Sequence, residues 1–278
     1  MIELANVSLR YDGSGNPALA DVDLEIRPGE AIAVVGPSGS GKTTLLKLLN
    51  GLAVPTTGRV RVDGLDTESD ADIWEIRRRV GLIFQNPDNQ LVSTTVEREL
   101  AFGMENLGLD PAEIAARIDE MLRALRLTDL RSRAPHRLSG GEKQRVAVAA
   151  VLAMHPTYLA LDEPTSLLDP VGRREVWGIL TDLHGDPGRA VVHVTQFPDE
   201  VLLSRRAIVV VAGRVVFDGT PEALFSLGRE LEEWGLGLPS AVLLAERLRA
   251  GGLDVPRTAL RLDEVADALA SLLTGRAS

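Results

Sequence analysis

The sequence predicts an α/β fold built on a mainly parallel β-sheet, and three observations lead to this prediction. Short apolar segments of strand length alternate with segments whose apolar residues recur at the three- and four-residue spacing of a helix. A glycine-rich loop joins one such strand directly to one such helix. The 278 residues, of which 45% are hydrophobic, suffice for one large domain and an additional segment. Strands that are connected through helices lie parallel, in a sheet covered on both faces.

The first strands of the chain predict a second, smaller sheet. Ile2–Arg10 and Leu19–Arg27 show strand-like alternation of apolar and polar residues, and Thr57–Val62 is a further strand. We expect these three to form a small antiparallel β-subdomain beside the main sheet. Ala31–Val35 is apolar throughout, which indicates a buried strand of the main sheet, and the helix Lys42–Leu49 follows it through the glycine-rich loop.

Helices dominate the middle of the chain. A helix at Ile73–Arg79 and a short apolar strand at Val80–Phe84 come first. From about residue 87 to residue 150 the pattern is helical, with apolar residues at helical spacing in Glu97–Met104 and Pro111–Leu127. We interpret residues 87–150 as a helical subdomain inserted between strands.

The last strands and a helical tail complete the predicted elements. A helix begins at the Ser139 turn and runs to Met154. The strands that follow it are Tyr158–Leu161, Ala190–Thr195 and Ala207–Val211. After Gly219 the pattern is mostly helical, with helices at Pro221–Leu227, Pro239–Arg249 and Leu262–Leu273. We therefore divide the chain into a main domain, residues 1–220, and a C-terminal helical extension, residues 221–278.

Composition excludes several kinds of function. The chain has no cysteine, which rules out disulfides, thiolate zinc sites and thiol nucleophiles. A formal net charge of −10 argues against broad attachment to nucleic acid, so we expect no nucleic-acid partner. No apolar stretch approaches the roughly 20 residues of a membrane-spanning helix, and the N-terminus lacks a signal-peptide pattern. We expect a protein of the cytoplasm that does not itself cross the membrane.

The glycine-rich loop predicts a polyphosphate site. The loop has nine residues, of which the first eight fit the pattern G-x-x-x-x-G-K-[ST] in the required context, after a buried strand and before a helix. The nine residues are Gly36, Pro37, Ser38, Gly39, Ser40, Gly41, Lys42, Thr43 and Thr44. The glycines let the backbone curl, so that successive N–H groups and the helix N-terminus face an anion. Lys42 adds a positive charge at the β- and γ-phosphates, Thr43 is placed to ligate Mg²⁺, and Thr44 follows on the β-phosphate side.

Two adjacent carboxylates predict the second half of this site. Asp162 and Glu163 stand at the end of the apolar strand Tyr158–Leu161. Asp162 is suited to hold Mg²⁺ through its water shell, whereas Glu163, one residue later, points elsewhere and is suited to accept a proton from an attacking water. Adjacent acids at a solvated strand end are the alternative, which the presence of the phosphate loop disfavours.

A third motif carries a family resemblance. The segment LSGGEKQR, Leu138–Arg145, resembles the signature of ATP-binding-cassette (ABC) ATPases. Ser139 would cap a helix whose first N–H groups, together with those of Gly140 and Gly141, bind an anion. In that family the anion is the γ-phosphate of ATP held by a second ATPase subunit, so the resemblance implies a dimer that sandwiches ATP.

Further marks of the family occur in order. Tyr11 stands where an aromatic ring stacks on adenine, and Gln85 stands where a glutamine senses Mg²⁺ and the attacking water. Ser166–Asp169 corresponds to a turn that links the two subunits of the dimer. The resemblance covers roughly residues 1–220 and implies the P-loop NTPase ABC cassette fold, with ATP and Mg²⁺ as cofactors.

One position departs from the family pattern. Where the family has a histidine that contacts the γ-phosphate, this chain has Gln196. Glutamine keeps a hydrogen-bond donor and acceptor but cannot carry a positive charge. His193 lies three residues earlier, on the strand that precedes Gln196, and we interpret it as structural because it should face elsewhere. Hydrolysis at this site is therefore either slower than usual or supported by the amide of Gln196.

Two segments resemble one branch of the family. FQNPDNQ, Phe84–Gln90, and the helical tail are similar to the ATPases of energy-coupling factor transporters, which import vitamins and transition-metal ions such as cobalt or nickel. In that group the tail strengthens contact between the two ATPase subunits. The resemblance implies a peripheral protein at the cytoplasmic face of the membrane. Its implied partners are a second ATPase subunit, identical or homologous, a transmembrane coupling subunit and a substrate-binding membrane subunit.

Three alternatives remain at this point. The first is an ABC ATPase of another importer class. The second is an ABC ATPase without a membrane partner, acting in DNA repair or on the ribosome, although such proteins typically carry a long coiled-coil insertion or two cassettes. The third is a regulatory ATP-binding subunit without catalysis, which Gln196 suggests and which Lys42, Asp162 and Glu163 oppose. The sequence does not identify the transported substrate.

Overall fold

Ten strands form two sheets in the computed structural model, which describes residues 1–13, 15–256 and 259–275. The strands are β1 Ile2–Leu9, β2 Leu19–Ile26, β3 Ala31–Val35, β4 Thr57–Val62, β5 Leu65–Asp66, β6 Val80–Ile83, β7 Tyr158–Asp162, β8 Ala190–Val194, β9 Arg206–Val211 and β10 Arg214–Gly219. The main sheet has the order β10-β9-β3-β8-β7-β6, and the smaller sheet has the order β2-β1-β4-β5.

Strand direction confirms the predicted sheets. All pairs of the main sheet are parallel except the edge pair of β9 and β10, and every residue of the central strands β3, β7 and β8 is buried. The smaller sheet is antiparallel and contains the three early strands that the sequence predicted. Because the central strands carry no polar face, other elements of the chain must cover both sides of the main sheet.

Eleven α-helices belong to the described residues. They are α1 Lys42–Leu49, α2 Ile73–Arg79, α3 Val96–Asn106, α4 Pro111–Ala124, α5 Gly140–Leu152, α6 Pro170–His184, α7 Pro198–Val201, α8 Pro221–Phe225, α9 Arg229–Glu233, α10 Ser240–Ala250 and α11 Leu262–Gly275. None of these helices is both long enough and apolar enough to cross a membrane.

Local chemistry sets several helix ends. The side chains of Thr95, Asp110 and Ser139 accept a hydrogen bond from a backbone N–H in the first turn of α3, α4 and α5. Helix α4 ends at Ala124, three residues before the predicted end, and the chain then reaches Arg126 in the left-handed region with φ of 55°. A left-handed residue cannot continue a right-handed helix, which explains the earlier end.

The core divides around the main sheet. One cluster joins the smaller sheet and α1 to one face, and a second joins the helical subdomain and α6 to strands of the same sheet. Part of the predicted extension also shares a core with the sheet, because Leu224, Phe225 and Leu231 pack in one cluster with Ala33 and Val209.

The distal tail has a small core of its own. Helices α10 and α11 pack around a separate group of apolar residues, which are Ala241, Ala245, Val255, Ala259 and Val265. Residues 257, 258 and 276–278 of the predicted extension lie outside the described residues. The extension therefore has a proximal part that completes the core of the sheet and a distal part with a small core of its own, of which Val242 and Leu260 also join the cluster of the sheet.

Candidate active site

The phosphate loop connects β3 to α1 by a path that two glycines make possible. Gly36 has φ of 148° and Gly41 has φ of 109°, in the region that favours glycine. A Cβ on Gly36 would lie 2.0 Å from the carbonyl oxygen of Val210, and one on Gly41 would lie 2.3 Å from that of Ala18. Both positions therefore exclude any side chain. The intervening residues Pro37, Ser38, Gly39 and Ser40 form the turn.

Lys42 is held inside the loop that it follows. Its side chain is buried, and Nζ donates to the carbonyl oxygens of Gly36 and Pro37 at 2.8 Å each. Burial lowers the pKa of Lys42, while the nearby carboxylates of Glu163 and Asp162 oppose this effect. The ammonium therefore lies against the first carbonyl oxygens of the phosphate loop, within the same loop whose backbone N–H groups would meet a phosphate.

Thr43 and Asp162 meet across 119 residues of sequence. The Thr43 hydroxyl donates to Oδ2 of Asp162 at 2.8 Å and to Oδ1 at 3.1 Å. Burial raises the pKa of Asp162, and the hydrogen bond from Thr43 acts in the opposite direction. Mg²⁺ takes oxygen ligands and commonly binds proteins through one or two groups while keeping waters and substrate phosphates. This hydroxyl and carboxylate fit such an ion.

Glu163 faces two glutamine amides. Nε2 of Gln85 donates to Oε2 of Glu163 at 3.0 Å, and Nε2 of Gln196 donates to the same oxygen at 3.4 Å. Gln85 Nε2 also donates to Oγ of Ser166 at 3.3 Å. Burial raises the pKa of Glu163, and the charge of Asp162 adds to this effect. A carboxylate, two amides and a hydroxyl thus converge beside Asp162.

The backbone at Glu163 is unusual. Its φ is 43°, in the left-handed region that a residue with a side chain seldom occupies, and its N–H donates to the carbonyl oxygen of Val194 at 3.1 Å. Residues in such conformations occur frequently at active sites, where the surrounding structure enforces them. The neighbouring strand β8 therefore helps to determine where this carboxylate lies.

His193 lies apart from these groups. It is fully buried in β8, and its ring packs edge-on against Trp177 with centroids 5.0 Å apart and an interplanar angle of 75°. Gln196, by contrast, is exposed just beyond the end of the strand. The amide, not this histidine, stands next to Glu163.

The signature residues form a capped helix start, as predicted. The N–H of Ser139 donates to Oε2 of Glu142 at 2.7 Å, and the N–H of Glu142 donates to Oγ of Ser139 at 3.3 Å. Gly140 is exposed and Gly141 is half-buried in the first turn of α5, where backbone N–H groups have no intrahelical acceptor. An anion that approaches this helix end would meet those N–H groups and the positive end of the helix dipole.

Tyr11 lies within hydrogen-bond distance of α1, the helix that follows the phosphate loop. Its hydroxyl lies 3.3 Å from Oγ1 of Thr44, and 45% of the residue is exposed. With Lys47 and Ala53, Tyr11 lines an open cleft of about 290 Å³. An aromatic ring at the side of a phosphate site can stack on a base.

Two supporting interactions were not predicted from the sequence. The guanidinium of Arg173 in α6 stacks on the ring of Phe197 at 3.8 Å, directly after Gln196. Ser240, at the start of α10, donates from its N–H and its hydroxyl to the carboxylate of Asp199 at 2.9 and 2.8 Å. Both contacts join residues that are distant in sequence, so that no local pattern could have indicated them.

The tail also reaches the phosphate loop. A cleft of about 220 Å³ is bounded by Gly36 and Pro37 of the loop, by Gln196, and by Phe225 and Leu236 of the C-terminal extension. The extension therefore lies against the same edge of the sheet as the candidate site.

Comparison with known proteins places these features in a family context. A family model described as ABC transporter matches residues 19–166. The energy-coupling factor transporter ATP-binding protein EcfA1 of Symbiobacterium thermophilum is 51% identical over 255 residues, which are 92% of this chain and 89% of the relative. The cobalt import ATP-binding protein CbiO of Syntrophus aciditrophicus is 43% identical over 271 residues, which are 98% of this chain and 96% of the relative.

Solved structures agree with this comparison. A CbiO1 structure from Clostridium perfringens, described as part of an ABC transporter complex, superimposes with a TM-score of 0.73 at 33% identity and covers 84% of this chain and 93% of its own. A dimeric ATP-binding cassette in a post-hydrolysis state with ADP and phosphate superimposes with a TM-score of 0.71 at 32% identity, over 80% of this chain and 99% of its own.

Proposed function

This chain is an ATPase of the ABC transporter family, and we propose that it powers an energy-coupling factor importer of a vitamin or a transition-metal ion. The observation that carries the proposal is the convergence of Lys42, the Thr43–Asp162 pair and Glu163 beyond the ends of the parallel strands β3 and β7, which lie on the two sides of β8. In open α/β sheets, ligands bind at this edge. The tail and the relatives named above support the energy-coupling factor branch.

The geometry supports a direct hydrolysis of ATP. Loop N–H groups and Lys42 balance the charge of the β- and γ-phosphates, and Thr43 with Asp162 would hold Mg²⁺, which supplies further positive charge there. Glu163 accepts a proton as a water oxygen attacks the γ-phosphorus and the bond to the β-phosphate oxygen breaks. Gln85 and Gln196 orient that water through their amides. The products are ADP and phosphate.

The signature points to a second ATPase subunit. Gly140 and Gly141 present backbone N–H groups at the start of α5, which Ser139 caps, in the helical subdomain, whereas the phosphate loop belongs to the main sheet. We propose that this helix start binds the γ-phosphate of ATP held by a second copy or a homologue, while the ring of Tyr11 stacks on the adenine of this chain's own ATP. The C-terminal extension, residues 221–278, would strengthen that dimer.

The proposed setting is the cytoplasmic face of the cell membrane. There the helical subdomain, residues 87–150, passes the opening and closing of the dimer to a transmembrane coupling subunit, and a separate membrane subunit binds the transported substrate. The similarity to an ATPase described as part of an ABC transporter complex supports an assembly of this kind.

Purification of the assembled complex tests this function. An affinity-tagged chain recovered from detergent-solubilised native membranes should bring with it a second ATPase and two membrane proteins, and the complex should hydrolyse ATP. Mass spectrometry identifies the partners, and uptake by vesicles that contain the complex identifies the substrate. Recovery with ribosomal or DNA-repair proteins, and without membrane proteins, would instead favour an ABC ATPase outside transport.

Gln196 is expected to take part in hydrolysis as a hydrogen-bond donor. The Gln196→Ala variant should lose about 1.5–3 kcal/mol of stabilisation, or roughly ten- to a hundredfold in ATP turnover, because a bond to a charged group disappears. ATPase rates of the assembled complex measure this effect. An alanine variant as fast as wild type, together with a faster Gln196→His variant, would show instead that the glutamine marks a slow site.

A further inference from the structure

Glu200 is a buried carboxylate that the hydrolytic mechanism above does not use. It belongs to α7, the short helix that follows Gln196, and only 5% of the residue is exposed. Its Oε1 accepts hydrogen bonds from Oγ1 of Thr165 at 2.7 Å and from Nε1 of Trp177 at 2.6 Å. Its Oε2 accepts a hydrogen bond from the hydroxyl of Thr195.

The three donors are neutral and come from three different parts of the chain. Thr165 lies in the loop after β7, Trp177 lies in α6, and Thr195 directly follows β8. Their separations from Glu200 are 35, 23 and 5 residues. Taking a carboxylate out of water is costly, and a well-packed apolar side chain of similar volume often stabilises a core as well or better. Stability alone therefore does not account for a carboxylate at this position.

Two of the residues that donate to Glu200 are close in sequence to the groups that act on ATP. Thr165 lies two positions after Glu163 and one before Ser166, which accepts a hydrogen bond from Gln85. Thr195 immediately precedes Gln196. Glu200 thus connects the loop of the proton acceptor to the loop of the glutamine that replaces the family histidine.

The Thr195 hydroxyl extends this connection into the backbone. It donates to Glu200 and at the same time accepts from the N–H of Phe197 at 3.0 Å, so that the chain is fixed on both sides of Gln196. The ring of Phe197 is covered by Arg173 of α6, the same helix that supplies Trp177. An oriented carboxylate and a stacked guanidinium therefore hold the Gln196 loop against one helix.

We propose that Glu200 is a positioning residue for ATP hydrolysis, one that holds the loops of Glu163 and Gln196 in a single hydrogen-bonded unit. This inference rests on the proposed function of the site. None of the three hydrogen bonds of Glu200 reaches the phosphate loop. Glu200 therefore acts indirectly, through Thr165 and Thr195. Its loss should disturb the alignment of the water, Glu163 and Gln196 while the contacts that bind ATP, at Lys42 and the loop N–H groups, persist.

The expected signature is a fall in kcat without a matching rise in KM for ATP. In Glu200→Gln the shape is kept, but the single amide oxygen can replace only one of the two carboxylate oxygens as an acceptor. A displacement of about 1 Å in a reacting group can cost about a hundredfold in rate. We expect kcat of the assembled complex to fall about ten- to a hundredfold, with KM for ATP within about twofold of wild type.

Two comparisons separate positioning from simple destabilisation. Thr195→Val removes the hydroxyl at nearly constant shape and should show the same loss in kcat as Glu200→Gln. Thr195→Ser keeps the hydroxyl and should keep kcat close to that of wild type. Thr195→Val placed in the Glu200→Gln background should add little further loss, because both changes break the same unit. Glu113→Gln is the matched control, since it makes the same chemical change in an exposed carboxylate that pairs with Arg117 on α4; its kcat should stay within about twofold of wild type.

Each outcome decides the inference. A folded Glu200→Gln variant with wild-type kcat would overturn it, as would a KM that rises in proportion to the loss of kcat. If Glu200→Gln fails to fold, the Thr195 pair decides: equal rates for the Val and Ser variants contradict positioning, and a loss in Val alone supports it. A wild-type complex without ATPase activity would contradict the proposed function itself, which distinguishes the two failures.

Discussion

The Glu163→Gln variant is expected to bind Mg-ATP normally and to lose most of its turnover. The amide keeps the shape of the side chain but cannot accept the proton of the attacking water, and loss of a general base typically costs about 10²–10⁴-fold in rate. Lys42 and the Thr43–Asp162 pair, which are the contacts assigned to phosphate and Mg²⁺, stay in place. ATP binding should therefore close the dimer, and the dimer should then fail to reopen.

Size-exclusion chromatography with ATP would show this trapped dimer, and a steady-state assay would show the lost turnover. Glu113→Gln provides a matched control, because it makes the same chemical change in an exposed residue that pairs with Arg117 on α4, outside the site. Both variants should retain the wild-type thermal midpoint. Turnover close to wild type in Glu163→Gln would contradict the assignment of Glu163 as the proton acceptor.

The Lys42→Ala variant is expected to lose affinity for ATP itself. The ammonium is buried within the phosphate loop and is positioned to offset phosphate charge before and during the reaction. Removing one member of a buried, hydrogen-bonded charge pair costs about 2–5 kcal/mol, which corresponds to roughly thirtyfold to several thousandfold in Kd. The variant also loses the bonds that Nζ donates to Gly36 and Pro37, so the loop itself becomes less ordered.

Calorimetric titration with ATP and Mg²⁺ measures this loss. Arg27→Ala is a suitable control, since it removes a cation whose ion pair with Glu25 is exposed and contributes little. The expected order of effects is distinctive: Lys42→Ala weakens binding, whereas Glu163→Gln leaves binding intact. Unchanged ATP affinity and unchanged hydrolysis in Lys42→Ala would show that the loop is not a working phosphate site.

Several elements were predicted from sequence to the residue. Ala31–Val35, Lys42–Leu49, Thr57–Val62 and Ile73–Arg79 have the same bounds in the structure. Their limits depend on nearby glycines and on a change in hydrophobic period, both of which are local properties of the chain. The start of α5 was likewise predictable, because the capping box needs only Ser139 and Glu142.

Other elements escaped prediction because their stability is not local. Strand β10 is half exposed at the edge of the sheet and, among the described residues, pairs only with β9. The hairpin between these strands turns at Ala212 and Gly213, both with positive φ. Alanine seldom adopts a positive φ, so the sequence did not indicate a turn at Ala212. The two-residue strand β5 depends entirely on pairing with β4.

The sequence by itself determined the fold class and the chemical inventory of the site. A glycine loop between a buried strand and a helix, and two acids at a strand end, require specific backbone paths and specific functional groups, and the neighbouring residues are enough to recognise them. The resemblance to ABC ATPases then assigned roles to Gln85, Ser139 and Gln196 before any geometry was known.

Only the tertiary structure decided how those groups meet. It brings Gln85 and Gln196 onto one oxygen of Glu163, buries His193 away from them, and joins Thr165 and Thr195 through Glu200. It also seats the start of the C-terminal extension in the core of the main sheet. Hydrophobic periodicity shows which face of an element is buried, but it does not show which distant element covers that face; that choice depends on packing and hydrogen bonds between residues far apart in the chain.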